Sequence, residues 1–307
     1  MKPNIFVLGS INMDLVFQTP RMPLPGETLM GESFHQIHGG KGANQAVAAA
    51  RMGGDVHLIA CVGDDDFGRL SLTSLARDGI DTQFVRQISD CATGVAGILL
   101  DASGENSIVL AAGANAKLNS GDVDRAAEFV AKANMLVCQL ETPIESVRYA
   151  MQVARAAGVR VMLNPAPMQE LDNSLLALVD VLVLNETEAQ QLTGSQVSSQ
   201  EQARVAASTL LQHGIGVVII TLGAAGIVVA REGHVDCLPA YAVEVVDTTG
   251  AGDTFVGSLA VALAEGLELH PACDLAQRAA AIAVTQLGAQ TSIRSEEHTS
   301  ELQSPDL

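Results

Sequence analysis

The sequence predicts an α/β fold, a three-layer α/β/α sandwich with a mostly parallel sheet plus a small β-sheet lid. Short runs rich in β-branched residues recur along the chain, and alanine- or leucine-rich segments with helical spacing separate them. The runs are apolar throughout rather than alternating. Strands of this kind need cover on both faces, which indicates a parallel sheet between layers of helices. Ligands of such sheets bind at the carboxyl ends of the strands.

The main elements follow in order along the chain. The predicted strands are short and β-branched, and they cover residues 5–8, 56–62, 135–140, 159–163, 181–184 and 217–222. The predicted helices carry apolar residues at helical spacing, and they cover 43–52, 144–157, 201–213, 252–266 and 271–287. The last two are apolar almost all round, which is typical of helices buried in a core. Pro271 suits the first turn of the final helix, and Gly288 suits its end.

Two segments, roughly 12–38 and 93–113, interrupt this alternation. The first contains three prolines among short β-prone pieces, and the second predicts two strands around a Ser-Gly-Glu-Asn turn at 103–106. A hairpin without a helix does not belong to a doubly wound core. We therefore predict that both segments form the small lid. The alternative is an edge hairpin that extends the main sheet.

Composition limits the class of protein. The chain has 307 residues, of which 48% are hydrophobic, and a formal net charge of −18. Proteins that bind a phosphate backbone are normally basic, so nucleic acid is not an expected partner. No signal peptide and no membrane-spanning run is present, and the five cysteines have no metal or CxxC spacing. These features predict a cytoplasmic protein with free thiols and no membrane partner.

The end of the chain has a different character. Residues 294–307 are rich in acids, have no usable period and look like a translated sequencing adaptor. We predict one domain over residues 1–293 and a non-native tail over 294–307 that stands in place of a native C-terminal segment.

The most informative motif is the glycine-flanked turn at 246–255, which leads directly into an apolar helix. Such a turn leaves backbone N–H groups free at a helix N-terminus, where they bind anions. A carboxylate beside an anion site is unexpected, because the two repel each other. The combination makes sense if Asp253 removes a proton from a hydroxyl while the backbone amides at the helix N-terminus hold the phosphoryl group that the hydroxyl attacks.

Two further motifs lie near the N-terminus. Asn12 and Asp14 follow the first strand, where no GxGxxG motif indicates a dinucleotide site. Residues two apart in an extended segment point the same way, so an amide and a carboxylate together suit vicinal hydroxyls; an Asx turn is the alternative. A glycine turn at 39–42 opens the first helix, where Lys41 and Asn44 are candidate donors to a ligand. A plain tight turn would explain the same glycines.

Polar residues also follow three later strands. Glu141 suits a ligand contact or an acid at a helix N-terminus, and residues 185–188 suit either a hydrated Mg²⁺ or an N-cap with acids in the first turn. The glycine loop at 221–226 suits a nucleotide or a simple β-turn. The three consecutive aspartates at 64–66 are framed by glycines and are expected to form a turn rather than a metal site.

In this order the motifs resemble the ribokinase family of sugar kinases, over residues 5–293. The resemblance implies transfer of the γ-phosphate of ATP to the 5-hydroxyl of D-ribose, with Mg²⁺ and K⁺ as cofactors and a homodimer formed through the β lid. It implies a catalytic group with Asp253 as the base and Gly250, Ala251 and Gly252 as the anion hole. The positions that match ribose-binding residues are Asn12, Asp14, Gly40, Lys41, Asn44, Glu141 and Asp253.

The resemblance also implies nucleotide and metal positions. The nucleotide-binding matches are Asn185, Thr221, Leu222, Gly223, Ala224, Ala225, Gly226, Gly252 and Gln277. Glu188 matches a water-mediated contact to Mg²⁺. The K⁺ matches, several through backbone carbonyls, are Asp247, Thr249, Ala283, Gln286, Gly288 and Ser292. Gln277 departs from the family, which often has a histidine there, so contacts to the base are expected to differ.

Other functions fit parts of the pattern. Within the same class the substrate could be deoxyribose, fructose or a nucleoside, and Asn12 beside Asp14 favours a sugar that keeps its 2-hydroxyl. A non-catalytic sugar or nucleotide sensor is a second class, which the intact Gly-Ala-Gly-Asp at 250–253 disfavours. An NAD-dependent dehydrogenase is a third, which the missing glycine fingerprint disfavours.

Overall fold

The computed structural model describes residues 2–295. The strands are β1 (Asn4–Leu8), β2 (Asn12–Thr19), β3 (Ser33–Gly39), β4 (Asp55–Gly63), β5 (Val85–Ile88), β6 (Gly94–Asp101), β7 (Asn106–Ala111), β8 (Met135–Cys138), β9 (Arg160–Leu163), β10 (Val181–Asn185), β11 (Val217–Thr221), β12 (Ile227–Arg231) and β13 (His234–Leu238).

The helices lie in the segments between and after the strands. They are α1 (Lys41–Arg51), α2 (Asp66–Arg77), α3 (Ser120–Val130), α4 (Ile144–Ala156), α5 (Asn173–Leu176), α6 (Glu186–Thr193), α7 (Gln200–Leu211), α8 (Ala251–Ala264), α9 (Leu269–Ala283) and α10 (Ala289–Ser292). Short 3-10 helices cover Gly113–Lys117 and Gly223–Ala225.

The large sheet has the strand order β13-β12-β11-β10-β9-β8-β1-β4-β5. The pairs from β11 to β5 are parallel, and β12 and β13 add an antiparallel edge. Apolar residues on one face pack with α3, α4 and α7, and those on the other pack with α1, α8 and α9. The predicted three-layer fold is confirmed, and the apolar strands are explained by this double cover.

A separate sheet with the order β3-β2-β6-β7 lies outside the large sheet. Its strands come from the two segments predicted to form the lid, and β2 pairs with β3 in antiparallel and with β6 in parallel orientation. β7 is exposed along its whole length. The predicted small sheet is therefore confirmed, and the edge-hairpin alternative is wrong.

Some element ends differ from the predictions. The final long helix ends at Ala283 rather than at 287, and α10 begins only after Gly288. β8 ends at Cys138, because the chain turns and the Leu140 N–H donates to the Ala166 carbonyl instead. The acidic run at 64–66 is structural as predicted, since the Asp65 carboxylate caps α2.

The predicted tail lies almost wholly outside the described residues, which end at Ser295. Among residues 2–295, no helix combines the length and apolar character needed to cross a bilayer.

Helices α1 and α8 pack in close contact, and this contact positions the site. A Cβ added to Gly257 on α8 would lie 2.5 Å from the Gln45 carbonyl oxygen and 2.6 Å from the Ala48 Cβ on α1. Small residues on both helices therefore allow the backbones to approach. The approach places the first turn of α1 beside the first turn of α8, at the carboxyl edge of the sheet.

Candidate active site

The N-terminus of α8 is open. Gly250 has φ +77°, a left-handed conformation that favours glycine, and no side chain caps the helix. The Ala251 N–H donates to the Thr248 carbonyl at 3.2 Å. Within the described residues, the amides of Gly252 and Asp253 have no backbone acceptor outside their helix. These amides form a site that can receive an anion.

Asp253 lies in the first turn of α8 and is only 7% exposed. Asn44 Nδ2 donates to its Oδ2 at 2.9 Å, and Gln45 Nε2 donates to its Oδ1 at 2.9 Å. Asn44 in turn accepts a hydrogen bond from Gln290 Nε2 at 3.1 Å. The carboxylate is thus held by one amide on each oxygen, directly beside the open helix end.

A second carboxylate, that of Glu141, accepts hydrogen bonds from residues that follow β1 and β3. Its Oε2 accepts from the Ser10 hydroxyl at 2.5 Å, from the Lys41 N–H at 3.0 Å and from Asn12 Nδ2 at 3.4 Å. The side-chain oxygen of Asn12, Oδ1, accepts a hydrogen bond from Asn115 Nδ2 at 2.7 Å. The predicted polar residues of two distant segments therefore meet at one place.

Asp14 lies on β2 with its carboxylate against the backbone of Gly39. A Cβ at Gly39 would lie 2.3 Å from Asp14 Oδ2, so glycine is required there. Burial, reinforced by the charges of Glu141 and Asp253, raises the pKa of Asp14 to about 7. Asp14, Glu141 and Asp253 therefore lie near one another.

Lys41 lies at the start of α1 among these acids. Burial lowers the pKa of its ammonium, but neighbouring carboxylates outweigh burial and raise the pKa above its usual value; they are Asp253, Glu141 and Glu188. The ammonium therefore stays charged and supplies positive field in a protein of net charge −18.

A polar cavity of about 220 Å³ lies between these residues and the end of β10. Lys41, Asp253, Gly252, Asn185 and Glu188 are among its walls. Asn185 and Glu188 also form a reciprocal capping box, in which the Glu188 N–H donates to Asn185 Oδ1 at 2.8 Å and the Asn185 N–H donates to Glu188 Oε2 at 2.9 Å. The N-cap interpretation of this motif is therefore confirmed, and the Mg²⁺ interpretation stays a prediction.

A larger, mainly apolar cavity of about 470 Å³ adjoins the polar one. It is lined by the turn between β11 and β12, by α8 and by α9, with Gln277 among its walls. Thr221, Gly223, Ala224 and Gly226 line it, whereas Leu222 packs into the hydrophobic core. Ala225 lies in the 3-10 turn between them. Thr221, Thr248 and Gly252 line both cavities, which are therefore neighbours.

The turn before α8 is held to the segment after α9. Asp247 Oδ1 accepts from the Thr249 N–H at 2.9 Å and from the Thr249 hydroxyl at 2.7 Å, and Oδ2 accepts from the Gly288 N–H at 2.8 Å. Burial opposes the charge of Asp247, but these hydrogen bonds outweigh it and lower the pKa. The structure thus joins three of the positions predicted to bind K⁺.

The other predicted K⁺ positions engage groups of their own segment. The Gln286 N–H donates to the Ala283 carbonyl at 3.1 Å, and the Ser292 hydroxyl donates to the Ala289 carbonyl at 2.8 Å. Within the described part of the chain, no cluster of three or more His, Cys, Asp or Glu side chains is arranged to hold a metal ion.

Sequence reasoning missed several buried amides and one hydroxyl. Asn115 holds the loop after β1, because its Oδ1 accepts from the Ile11 N–H at 2.9 Å and its Nδ2 donates to the Ile11 carbonyl at 3.1 Å. Ser10, Gln45 and Gln290 were also not singled out. Gln45 and Ser10 adjoin predicted motifs, which was the available signal, but Asn115 and Gln290 reach the site only through tertiary structure.

Comparison with known proteins agrees with this geometry. A sequence model described as the pfkB family carbohydrate kinase matches residues 2–296. A ribokinase from Haemophilus influenzae is 46% identical over 301 residues, which cover 98% of each chain. A deoxyribokinase from Salmonella typhi is 40% identical, covering 97% of this chain and 98% of its own.

A solved structure gives the same result. The structure of Arabidopsis thaliana ribokinase complexed with ribose and ATP superposes with a TM-score of 0.91 at 32% identity, covering 98% of this chain and 99% of its own. The family model spans nearly the whole chain, and the relatives named above align over nearly its full length. This chain belongs to the pfkB family of carbohydrate kinases.

Proposed function

We propose that the protein transfers the γ-phosphate of ATP to the 5-hydroxyl of D-ribose, giving D-ribose 5-phosphate and ADP. One observation carries the proposal: a buried carboxylate and open helix amides lie side by side, between a polar cluster and an apolar cavity. The relatives named ribokinase and the related structure that holds ribose and ATP support the same assignment.

The sugar is held by the polar cluster around Glu141. Ribose presents adjacent hydroxyls that both donate and accept hydrogen bonds, and the cluster offers both kinds of partner. Asp14 accepts from sugar hydroxyls, and Asn12, Lys41 and Asn44 donate to them. Gly40 has φ +90° and lets this turn pack closely against the chain at Asn12, because a Cβ there would lie 2.7 Å from the Asn12 backbone nitrogen.

Asp253 acts as the general base. Its carboxylate accepts the proton of the 5-hydroxyl, and the resulting oxygen attacks the γ-phosphorus while the bond to the β-phosphate oxygen breaks. The amides at Gly250 and Gly252 hold the transferring phosphoryl oxygens, whereas the third predicted donor, Ala251, already donates to the Thr248 carbonyl at 3.2 Å. Removal of one such donor costs roughly 10²–10³ in rate in comparable sites. Lys41 adds positive charge on the wall of the same cavity.

The nucleotide occupies both cavities. Its base and ribose lie in the apolar cavity beside Gln277 and the turn at 223–226, and its phosphates reach past Thr221 and Gly252 into the polar one. The walls that the two cavities share support a position for the terminal phosphate at the start of α8. Asn185 and Glu188 lie across the polar cavity from that position.

Two metal ions are included in the proposal. Glu188 would hold a Mg²⁺ ion bound to ATP through water, and the ion would neutralise phosphate charge. A single acidic residue suits an ion that takes most of its ligands from phosphate and water. The group around Asp247 would hold K⁺ beside the anion site. The oxygen-only donor set there, with a carboxylate whose pKa is lowered, fits a hard cation. The ion would supply positive charge behind the anion hole.

Residues 1–293 form one kinase domain in this proposal, and two copies associate through the small sheet. The exposed apolar side chains of β7 support the dimer. We place the reaction in the cytoplasm, in line with five free cysteines, three of them buried.

The test is ADP release from ATP with a panel of pentoses, hexoses and nucleosides, each with and without K⁺. We expect ribose to give the highest kcat/KM and K⁺ to increase it. Preference for deoxyribose would assign the chain to the activity named for the Salmonella relative. Absence of ADP with every sugar would refute the proposal and favour a sensor.

A further inference from the structure

The base is held by a residue outside the ligand-binding set. Gln45, on α1, is completely buried, and its side chain uses both amide hydrogens. Nε2 donates to Asp253 Oδ1 at 2.9 Å and to Asn164 Oδ1 at 3.1 Å. Oε1 accepts from Gln139 Nε2 at 2.6 Å. The amide therefore has one orientation, with its donor end toward the base.

The partners of Gln45 are themselves fixed. Asn164 Nδ2 donates to the Val183 carbonyl at 3.0 Å, which attaches the network to β10. Gln139 follows β8 directly and is completely buried. The network therefore connects two strands of the large sheet to the first turn of α8 through Gln45. None of these amides except Gln45 contacts Asp253.

The network keeps a costly feature. Gln139 Oε1 is buried without a hydrogen-bond partner in the described residues. This oxygen also lies close to Gly9, where a Cβ would be 2.1 Å from it. Buried polar groups without partners are rare and call for an explanation. The need to orient Gln45 explains this unpaired oxygen. Gln139 Nε2 can donate to Gln45 only when the Gln139 oxygen points away from Gln45.

We propose that Gln45 is a positioning residue that fixes the Asp253 carboxylate in the rotamer that accepts the sugar proton. The proposal rests on the proposed kinase function. Asn44 holds the other oxygen but also lies in the sugar cluster, so sugar binding changes its surroundings. Gln45 is completely buried and is not among the residues that line either cavity, so a ligand in the cavities does not compete for its hydrogen bond to Asp253. A general base accepts a proton only within a narrow range of distance and angle, and rotation of the Asp253 carboxylate would move it out of that range.

Two substitutions at this position separate positioning from packing. Gln45→Met keeps the length and volume but removes the donor. We expect kcat to fall on the order of 100-fold, as for a displaced catalytic group, with KM for ATP unchanged. Gln45→Glu keeps the shape but places a second carboxyl group against Asp253. Two carboxyl groups in contact share a proton, which raises the pH at which the base becomes available. The acid limb of the kcat–pH profile then moves to higher pH.

The control is Ser258→Ala, on the same helix as the base. The Ser258 hydroxyl is buried and lacks a partner among the described residues. We expect this variant to keep wild-type kcat and pH profile. Thermal unfolding of all variants shows whether each is folded. A purely structural role for Gln45 would reduce the folded fraction without moving the pH profile of the folded enzyme.

The outcomes distinguish this inference from the function on which it rests. Folded Gln45→Met and Gln45→Glu variants with wild-type kcat and pH profile would overturn the positioning role and leave the kinase function standing. If Gln45→Met fails to fold, an unmoved profile in Gln45→Glu alone overturns it. Wild-type protein that releases no ADP with any sugar would overturn both.

Discussion

Asp253 is the residue on which the proposed chemistry depends. Replacement by asparagine keeps the shape and one acceptor oxygen but removes the base. We expect Asp253→Asn to lower kcat by about 10²–10⁴-fold, the usual contribution of a general base, with ribose affinity largely retained. The rate of ADP release together with calorimetric ribose binding measures both quantities. Asp66→Asn, at an exposed position on α2, is the matched control. Unchanged turnover in Asp253→Asn would remove this residue from the mechanism.

Asp14 makes stability depend on pH. Its pKa is raised from an ordinary value of 3.8 to about 7 in the folded protein, so the folded state binds the proton more tightly than the unfolded chain does. The stability linked to this proton is fully present below about pH 4 and is lost as the pH rises through about 7. A tenfold difference in proton affinity between the two states corresponds to about 1.4 kcal/mol, so the loss is at most about 4 kcal/mol.

Asp14→Asn removes this titration. We expect the variant to be more stable than the wild type at pH 8 and to show a smaller decline in stability between pH 5 and pH 8, while ribose binding weakens because an acceptor is lost. Denaturant unfolding at several pH values measures the difference. If the free energy of unfolding falls as much between pH 5 and pH 8 in Asp14→Asn as in the wild type, the decline comes from other groups.

At the scale of elements, the contact between α1 and α8 is sensitive to one atom. Gly257→Ala places a Cβ less than 3 Å from α1 backbone and side-chain atoms, so the helices must separate. We expect about 1–3 kcal/mol of destabilisation, typical of overpacking. We also expect a lower kcat, because the shift moves Asn44 and Gln45 away from Asp253. Gly97→Ala is the control, since its nearest atom would lie 3.9 Å away. Equal stability of the two variants would contradict a tight helix contact.

Elements and their ends show what the sequence could predict. The fold class could be predicted because the central strands of the large sheet are apolar on both faces. Asp253 could be predicted because a glycine turn comes directly before an apolar helix. The sequence could not decide between capping and ligand binding for the motif at 185–188, because short polar side chains suit either role and only the structure shows the cap. Gln45 was missed because a glutamine inside an alanine-rich helix has no local signature, and its partners lie 94 and 208 residues away.

At the scale of the whole molecule, the small sheet presents apolar side chains to solvent. Ile108, Val109 and Leu110 on β7 are exposed, Val109 to 76%. Large exposed apolar side chains that cluster in this way mark association surfaces. We expect Val109→Asp to convert a dimer to a monomer in sedimentation velocity, because a charge would be buried without a partner. Val205→Asp, at an exposed apolar position on α7, should leave the mass unchanged. A wild-type monomer would contradict the dimer.

The hydrogen bond from Gln290 to Asn44 spans 246 residues of sequence. Chains emerge from the ribosome N-terminus first, and contacts between distant residues form late. The first helix and most of the large sheet are synthesised long before Gln290 exists. A nascent chain therefore lacks this support for Asn44 and its hydrogen bond to Asp253 until Gln290 has been synthesised, so the pocket takes its final arrangement only after that point.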